Sequence, residues 1–244
     1  QVIWAIGASM IVLAFASSLP PMLLGAVGLL IVGSHNAFAG IDLPPDHPLY
    51  LPWTLLLHRG WAVEDAAVKV RLTYPVLPWI GVILLGWVAA PMFSAGFDGQ
   101  QRRRLLVRIG VGCWVLLLVL RGFNLYGENA PWVAGSDAVH TVMSFLNFTK
   151  YPPSLDFLLM TLGGGLLLLA LVDRADNEAT RVLSTFGGAP MFYYMLHLYV
   201  LMVSYKVLLA IYGPNQGTRF GASPDSFWII WLVTVLLVPA LYLP

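Results

Sequence analysis

The sequence predicts an all-α fold, a polytopic bundle of about seven membrane-spanning helices that form one domain over residues 1–244. Hydrophobic residues make up 59% of the chain and charged residues only 10%, whereas an ordinary soluble domain has about 25% charged residues. Several apolar runs approach the roughly 20 residues that a helix needs to cross a bilayer. The alternating pattern of a β-barrel strand does not recur, so helices are the expected spanning elements.

Breaks rich in proline, glycine and charge separate the apolar runs and set the predicted helix boundaries. The predicted spans are residues 1–18, 21–39, 74–95, 104–122, 154–172, 183–211 and 227–244. The chain begins and ends inside apolar runs, without an initiator Met or a signal peptide. We therefore expect it to be a fragment of a longer protein.

Charged residues in the short loops predict the orientation. The segments FDGQQRRR and DRADNEATR fall on the same side of the predicted bundle, and the positive-inside rule makes that side cytoplasmic. Three longer loops then face outward and hold most of the polar residues, namely Gly40–Thr73, Gly122–Pro153 and Gly213–Ser226. A net charge of +1 excludes nucleic acid as a partner.

The segment Ser144–Val172 joins a polar, aromatic loop directly to a predicted span. Pro152 and Pro153 restrict the backbone and stiffen the entry to the helix. Lys150 is there either as a membrane anchor or as a functional group. Asp156 lies in the first helical turn, where it complements the helix dipole or pairs with Lys150 or Arg121.

Polar side chains within or at the ends of the other spans need a partner or a function, because hydrocarbon penalises them. His197 and Tyr194 share a helical face, where the histidine is either structural or contacts a substrate. His35 and Asn36 end the second span and either cap it or face a polar ligand. Arg121 either anchors its helix or binds a carboxylate or phosphate.

Recognised catalytic signatures and metal-ligand spacings are absent from the sequence, so no metal site is predicted. The glycines at 163–165 lie within a span and indicate close helix packing rather than phosphate binding.

Several blocks together resemble one family. They are YPVLPWIGVILLGW, RGFNLYGENAPW, SFLNFTKYPPSLDFLLMTLG and GGAPMFYYMLHLY, and with the flanking spans they cover about Ile3 to Leu201 in order. This pattern resembles bacterial membrane proteins related to heparan-alpha-glucosaminide N-acetyltransferase, within a wider superfamily of transmembrane acyltransferases. The family's arginine-glycine helix and the histidine after it are not in this sequence, whose first helix is similar to the family's fourth; we expect the missing spans to precede Gln1.

The resemblance implies an inner-membrane enzyme of bacteria that moves an acetyl or other acyl group from cytoplasmic acetyl-CoA to a sugar hydroxyl or amine on the outer face. On this hypothesis His35, Lys150 and His197 are catalytic candidates, and the cytoplasmic arginines bind the coenzyme A headgroup. The candidates for substrate binding are Asn36, Tyr74, Arg121, Asn124, Tyr151, Asp156 and Tyr194. The candidates for binding coenzyme A are Arg102, Arg103 and Arg104. The expected partners are membrane lipids, a glycan or small-molecule acceptor and other membrane subunits.

Two other classes of function remain open. The chain could be a catalytically silent subunit of a larger membrane complex, which the missing histidine helix favours. A transporter is the third possibility, because kinked helices and polar groups within the bilayer also suit alternating access. It ranks last because no pair of interrupted spans repeats in two halves of the sequence.

Overall fold

The computed structural model describes residues 2–64 and 69–213, so the predicted span 227–244 and residues 214–226 of the third predicted loop lie outside it. The described chain is mostly helical. It divides into two compact units, and the boundary in the sequence lies between Asp173 and Arg174. The elements of the first unit, in order, are α1 (Val2–Ala16), α2 (Pro21–Ser34), α3 (Tyr50–Leu56), β1 (Gly60–Val63), β2 (Val70–Leu72), α4 (Leu77–Ala89), α5 (Gly99–Gly122), α6 (Ala138–Phe145) and α7 (Leu155–Val172). The second unit contains α8 (Glu178–Gly188) and α9 (Pro190–Tyr212).

Within residues 2–64 and 69–213, three helices are long and apolar enough to cross a membrane, or up to four if the bent pair α8 and α9 is one span. They are α2 with its 3₁₀ extension to Phe38, α5, and α7. Two further apolar helices, α1 and Leu77–Phe93, are shorter than 18 residues. These helices support the prediction of a membrane protein, whereas the prediction of seven spans is not confirmed.

The prediction of one continuous helix over 183–211 is wrong. Helix α8 ends at Gly188, α9 begins at Pro190, and the two are bent by 85°. Pro190 has no N–H, and its ring disfavours the helical conformation at Ala189, which adopts φ −133° and ψ 54°. The apolar pattern runs through this break because hydrophobicity alone does not report the backbone conformation at Ala189 and Pro190.

Helix pairs form the core of the first unit: α5 packs on α7, and α4 packs on both α1 and α2. One buried cluster contains Ala5, Leu24, Val76, Ile80 and Leu84. The second cluster contains Val32, Leu117, Leu155, Leu158 and Leu159. The first cluster joins α1, α2 and α4, and the second joins α2, α5 and α7 at the level where the polar loops begin.

Two glycines permit the close contact between α5 and α7. A Cβ atom on Gly163 would lie 2.8 Å from the Cβ of Cys113, and one on Gly110 would lie 2.9 Å from the carbonyl oxygen of Gly163. Real Cβ atoms do not approach other heavy atoms this closely, so the two backbones touch only because these side chains are missing. The prediction that the glycine run mediates helix packing is confirmed at Gly163, whereas Gly165 faces open space.

The first predicted loop, Gly40–Thr73, contains regular structure. Helix α3 is followed by an antiparallel hairpin in which Gly60 pairs with Leu72 and Trp61 pairs with Arg71. These elements are only seven, four and three residues long, which is too short for an apolar period to reveal them.

Candidate functional site

The start of α7 is tightly capped by three different parts of the chain. The backbone N–H of Leu155 donates to the Asn36 side-chain oxygen at 2.7 Å, and that of Asp156 donates to the Gly127 carbonyl at 3.1 Å. The N–H of Phe157 donates to the Ser154 hydroxyl at 3.0 Å. The first N–H groups of a helix lack partners within the helix, and here those of residues 155–157 are satisfied by the protein. This helix end is therefore closed to an incoming anion.

Arg121, in the last turn of α5, is 2% exposed and organises the loop that precedes α7. Its guanidinium donates to the carbonyl oxygens of Phe145 at 3.1 Å and Ala130 at 2.9 Å. It also donates to the carbonyls of Ser144 at 3.1 Å and Asn147 at 3.3 Å. Four of its five N–H groups can be accounted for in this way, so the geometry favours the anchoring role over the bidentate anion-binding role.

Asn124 supports the same loop from the other side. Its side-chain amide donates to the Trp132 carbonyl at 3.2 Å and accepts from the Trp132 N–H at 3.0 Å. The Trp132 indole in turn donates to the Arg121 carbonyl at 2.9 Å. Asn124 has φ 49°, a left-handed conformation that asparagine tolerates better than most residues. The contacts that the Asn124 side chain makes are thus structural, and its role in binding a substrate stays a prediction.

Asp156 is the most unusual residue of this region. Its side chain is fully buried, and neither carboxylate oxygen has a hydrogen-bond partner within the part of the chain that the structure describes. The carboxylate packs directly over the α-carbon of Gly127, where any Cβ would collide with it. Gly127 also has φ 107°, which side-chain-bearing residues rarely adopt. The loop backbone thus leaves room for the carboxylate without providing a donor to it.

Glu128 is a second carboxylate in the same place, but its oxygens are occupied. Oε2 accepts from the Thr149 N–H at 2.9 Å and from the Ser154 hydroxyl at 2.8 Å. Oε1 accepts from the N–H of Asn129 at 3.2 Å. Glu128 therefore joins the loop to the turn before α7, and Asp156 is the carboxylate that remains available for a ligand.

A cavity of about 250 Å³ separates the end of α5 from the start of α7. Its lining consists of Leu120, Arg121, Asn124, Leu125, Tyr126, Glu128, Asn129, Ala130, Pro131 and Asp156. Pockets that hold drug-sized ligands are usually about 300–1,000 Å³, so a ligand here would be small. Burial raises the pKa of the Tyr126 hydroxyl, which therefore keeps its proton at neutral pH. The cavity brings together three predicted binding residues, Arg121, Asn124 and Asp156.

His35 lies outside this cavity, and its ring contacts the protein backbone. Its Nε2 lies 2.8 Å from the Pro153 carbonyl oxygen, and its Nδ1 lies 2.9 Å from that of Val32. Both ring nitrogens thus face carbonyls, which leaves neither directed at a substrate. The adjacent small cavity, which His35 and Asn36 line, measures about 10 Å³, which leaves room for one water at most.

Lys150 and Tyr151 are on the exposed side of the same turn. The Lys150 ammonium lies 5.3 Å from the centre of the Tyr151 ring, and that ring lies 5.2 Å from the ring of Tyr74. Tyr74 also stacks on Trp79 at 5.7 Å. The predicted residues Lys150, Tyr151 and Tyr74 therefore form an aromatic group of their own, and none of them lines the cavity with Asp156.

His197 and Tyr194 are both in the second unit, on α9. Their rings lie 5.2 Å apart, and the His197 Nδ1 is 3.2 Å from the carbonyl oxygen of Tyr193. The predicted shared face of these two residues is confirmed.

The three arginines predicted to bind coenzyme A separate into two groups. Arg102 makes a two-pronged ion pair with Asp173, at 2.7 and 3.0 Å, and so joins the start of α5 to the end of α7. Arg103, Arg104 and the unpredicted Arg108 line an open groove of about 400 Å³. Of the three predicted arginines, Arg103 and Arg104 are therefore the candidates for binding phosphate groups.

Sequence reasoning missed Glu128 and Asn129 as parts of the cavity and Gly127 as the contact of Asp156. The only signal was their position in the polar segment YGENAPW between two spans. No group of three or more His, Cys, Asp or Glu side chains that could hold a metal ion occurs within residues 2–64 and 69–213.

Comparisons with protein-family models, with curated proteins and with solved structures find no match to this chain. The fold and the site therefore define a class only, a mostly helical membrane protein with a polar cavity at the junction of two spanning helices.

Proposed function

We propose that this protein is a membrane-embedded acyltransferase, in which the cavity beside Asp156 holds the hydroxyl or amine of a small acceptor. The buried, unpartnered carboxylate of Asp156 carries the proposal. A buried charge without hydrogen bonds is costly, and groups maintained in that state are typical of functional sites. The order of sequence blocks that resembles the acyltransferase superfamily supports the type of reaction.

In the proposed reaction, Asp156 acts as the base. The acceptor gives its O–H or N–H proton to the carboxylate while its oxygen or nitrogen forms a bond to the thioester carbonyl carbon. The carbon–sulfur bond then breaks, and the leaving coenzyme A thiolate takes up the proton that Asp156 received, which restores the carboxylate. A positioned base of this kind typically contributes a factor of about 10²–10⁴ to the rate.

Binding of the acyl-CoA co-substrate is assigned to Arg103 and Arg104, which line the open groove at the predicted cytoplasmic end of α5. Arg102 is omitted because Asp173 neutralises it. The bacterial inner membrane and the glycan acceptor belong to the same proposal.

The decisive experiment measures transfer of radiolabelled acetyl groups from acetyl-CoA to methyl glucoside and methyl glucosaminide by the natural gene product in lipid vesicles. The Asp156→Asn variant should lose activity by about 10²-fold or more, with binding of acetyl-CoA unchanged. Asp46→Asn is the matched control, because Asp46 is an exposed loop carboxylate.

Two outcomes would contradict the proposal. Full activity of Asp156→Asn would remove Asp156 from the reaction. Absence of acetyl-CoA binding by the unaltered protein, together with stoichiometric co-elution with other membrane subunits, would favour the silent-subunit hypothesis instead.

A further inference from the structure

Helix α6 has its polar and apolar sides reversed with respect to a helix of a soluble protein. The side that faces the protein is polar: the Thr141 hydroxyl accepts from the Gly135 N–H at 3.0 Å, and the Ser144 hydroxyl accepts from the Val133 N–H at 3.0 Å. The opposite side is apolar and exposed. Its members are Val139 (66% exposed), Val142 (55%), Met143 (63%) and Leu146 (49%).

These four residues follow the spacing i, i+3, i+4 and i+7, so they form one continuous stripe on an α-helix. In water such a stripe would be turned inward, because burial of apolar surface stabilises the fold. An outward apolar stripe on a helix whose polar side is bonded to the protein indicates an apolar surrounding.

The position of α6 identifies that surrounding. Arg121, in the last turn of the candidate span α5, donates to the carbonyls of Ser144 and Phe145 and so holds α6 at the level where α5 ends. The next residues along the chain, Phe123 and Leu125, are also apolar and are 74% and 64% exposed. The end of a span is the level of the lipid headgroups and upper acyl chains.

We propose that α6 lies flat in the membrane interface, with the stripe of Val139, Val142, Met143 and Leu146 inserted among the lipids. The segment 129–149 contains only Asp137 and His140 as ionisable residues. Interfacial helices that depend on anionic lipids use lysine and arginine on their polar side, so the interaction here is with apolar lipid chains and does not require anionic headgroups. This inference is independent of the proposed acyl transfer.

Site-directed spin labelling tests the proposal. Cys113 is the only cysteine of the chain, so a Cys113→Ser background accepts one nitroxide at a time at position 142, 143 or 140. The full chain is placed in phosphatidylcholine vesicles, and collision of the nitroxide with oxygen and with a polar nickel complex is measured. His140 is the matched control because it is exposed on the same helix but lies outside the stripe.

The oxygen-to-nickel collision ratio at positions 142 and 143 should exceed that at 140 by about fivefold, because oxygen concentrates in the acyl region and the nickel complex in water. Added phosphatidylglycerol should leave the ratios unchanged. Equal ratios at all three positions would overturn the proposal, since the helix would then be in water. Low collision with both reagents at 142 and 143 would also overturn it, because the stripe would then be covered by protein.

Discussion

Replacement of Gly163 by alanine tests the close packing of α5 on α7. The added Cβ would lie 2.8 Å from the Cβ of Cys113 and 2.8 Å from Cδ1 of Trp114. Carbon atoms in favourable contact are about 3.5–4.0 Å apart, so the two helices must separate locally by about 0.7 Å or more. The neighbouring Cβ of Cys113 is attached directly to the backbone and cannot rotate away, so the helix itself must move.

The expected cost follows from two opposed effects. Overpacking of a well-packed interface costs about 1–3 kcal/mol, and alanine gains up to about 1 kcal/mol over glycine in a helix interior. Taking the middle of the overpacking range, about 2 kcal/mol, Gly163→Ala should destabilise the pair by about 1–2 kcal/mol in total. Gly165→Ala is the matched control, since its Cβ meets nothing within 4 Å and only the favourable helix effect applies.

Cys113 provides the assay, because it is the chain's only cysteine and lies at this interface. A fluorogenic maleimide reacts with it when α5 and α7 separate. A loss of 1–2 kcal/mol corresponds to labelling that is about 5–30 times faster for Gly163→Ala, whereas Gly165→Ala should label no faster than the unaltered chain. Unchanged labelling of Gly163→Ala would refute the close approach of the two helices.

Two further perturbations test the loop that covers the cavity. Arg121→Lys keeps the charge but cannot reach all the carbonyls that the guanidinium binds, so it should cost at least about 2 kcal/mol, seen as faster proteolysis within residues 123–149; an unchanged cleavage rate would refute the role of Arg121. The N-cap of α6 should weaken in acid, because hydrogen bonds from the backbone and side chain of His140 lower the pKa of Asp137. The cap's contribution is then complete above the ordinary aspartate pKa of about 3.9 and is lost as pH falls through the lowered value. Hydrogen exchange of the His140 amide should show this loss of protection, whereas Asp137→Asn, which caps without titrating, should show none.

The sequence predicted the helices of the first unit well where hydrophobic runs were long. Predicted spans 21–39 and 154–172 differ from the observed Pro21–Phe38 and Leu155–Val172 by one residue at an end or less. The fourth predicted span began too late, at 104, because Arg102 and Arg103 were assigned to a loop although they are in the first turns of α5. Asp98 caps this helix by accepting from the Gln101 N–H at 2.7 Å, which the apolar pattern does not reveal.

The candidate site was predictable in part. Arg121, Asn124 and Asp156 stood out because polar residues next to apolar runs are few, and the structure places all three on one cavity. Glu128 was not predicted, because its position depends on bonds to Thr149 and Ser154, about 20 to 26 residues away. Local pattern carries no information on such contacts.

The antiparallel pair of α5 and α7 explains why the cavity can be preformed. Arg102 and Asp173 join the two helices at one end, and Gly163 permits backbone contact near the middle. The cavity with Asp156 occupies the other end, where the loop fixed by Arg121 forms part of its lining. Since the ion pair and the glycine contact hold the helices elsewhere, a ligand at Asp156 can bind without moving either one. Binding energy would then be available for orienting the ligand against the carboxylate rather than for assembling the site.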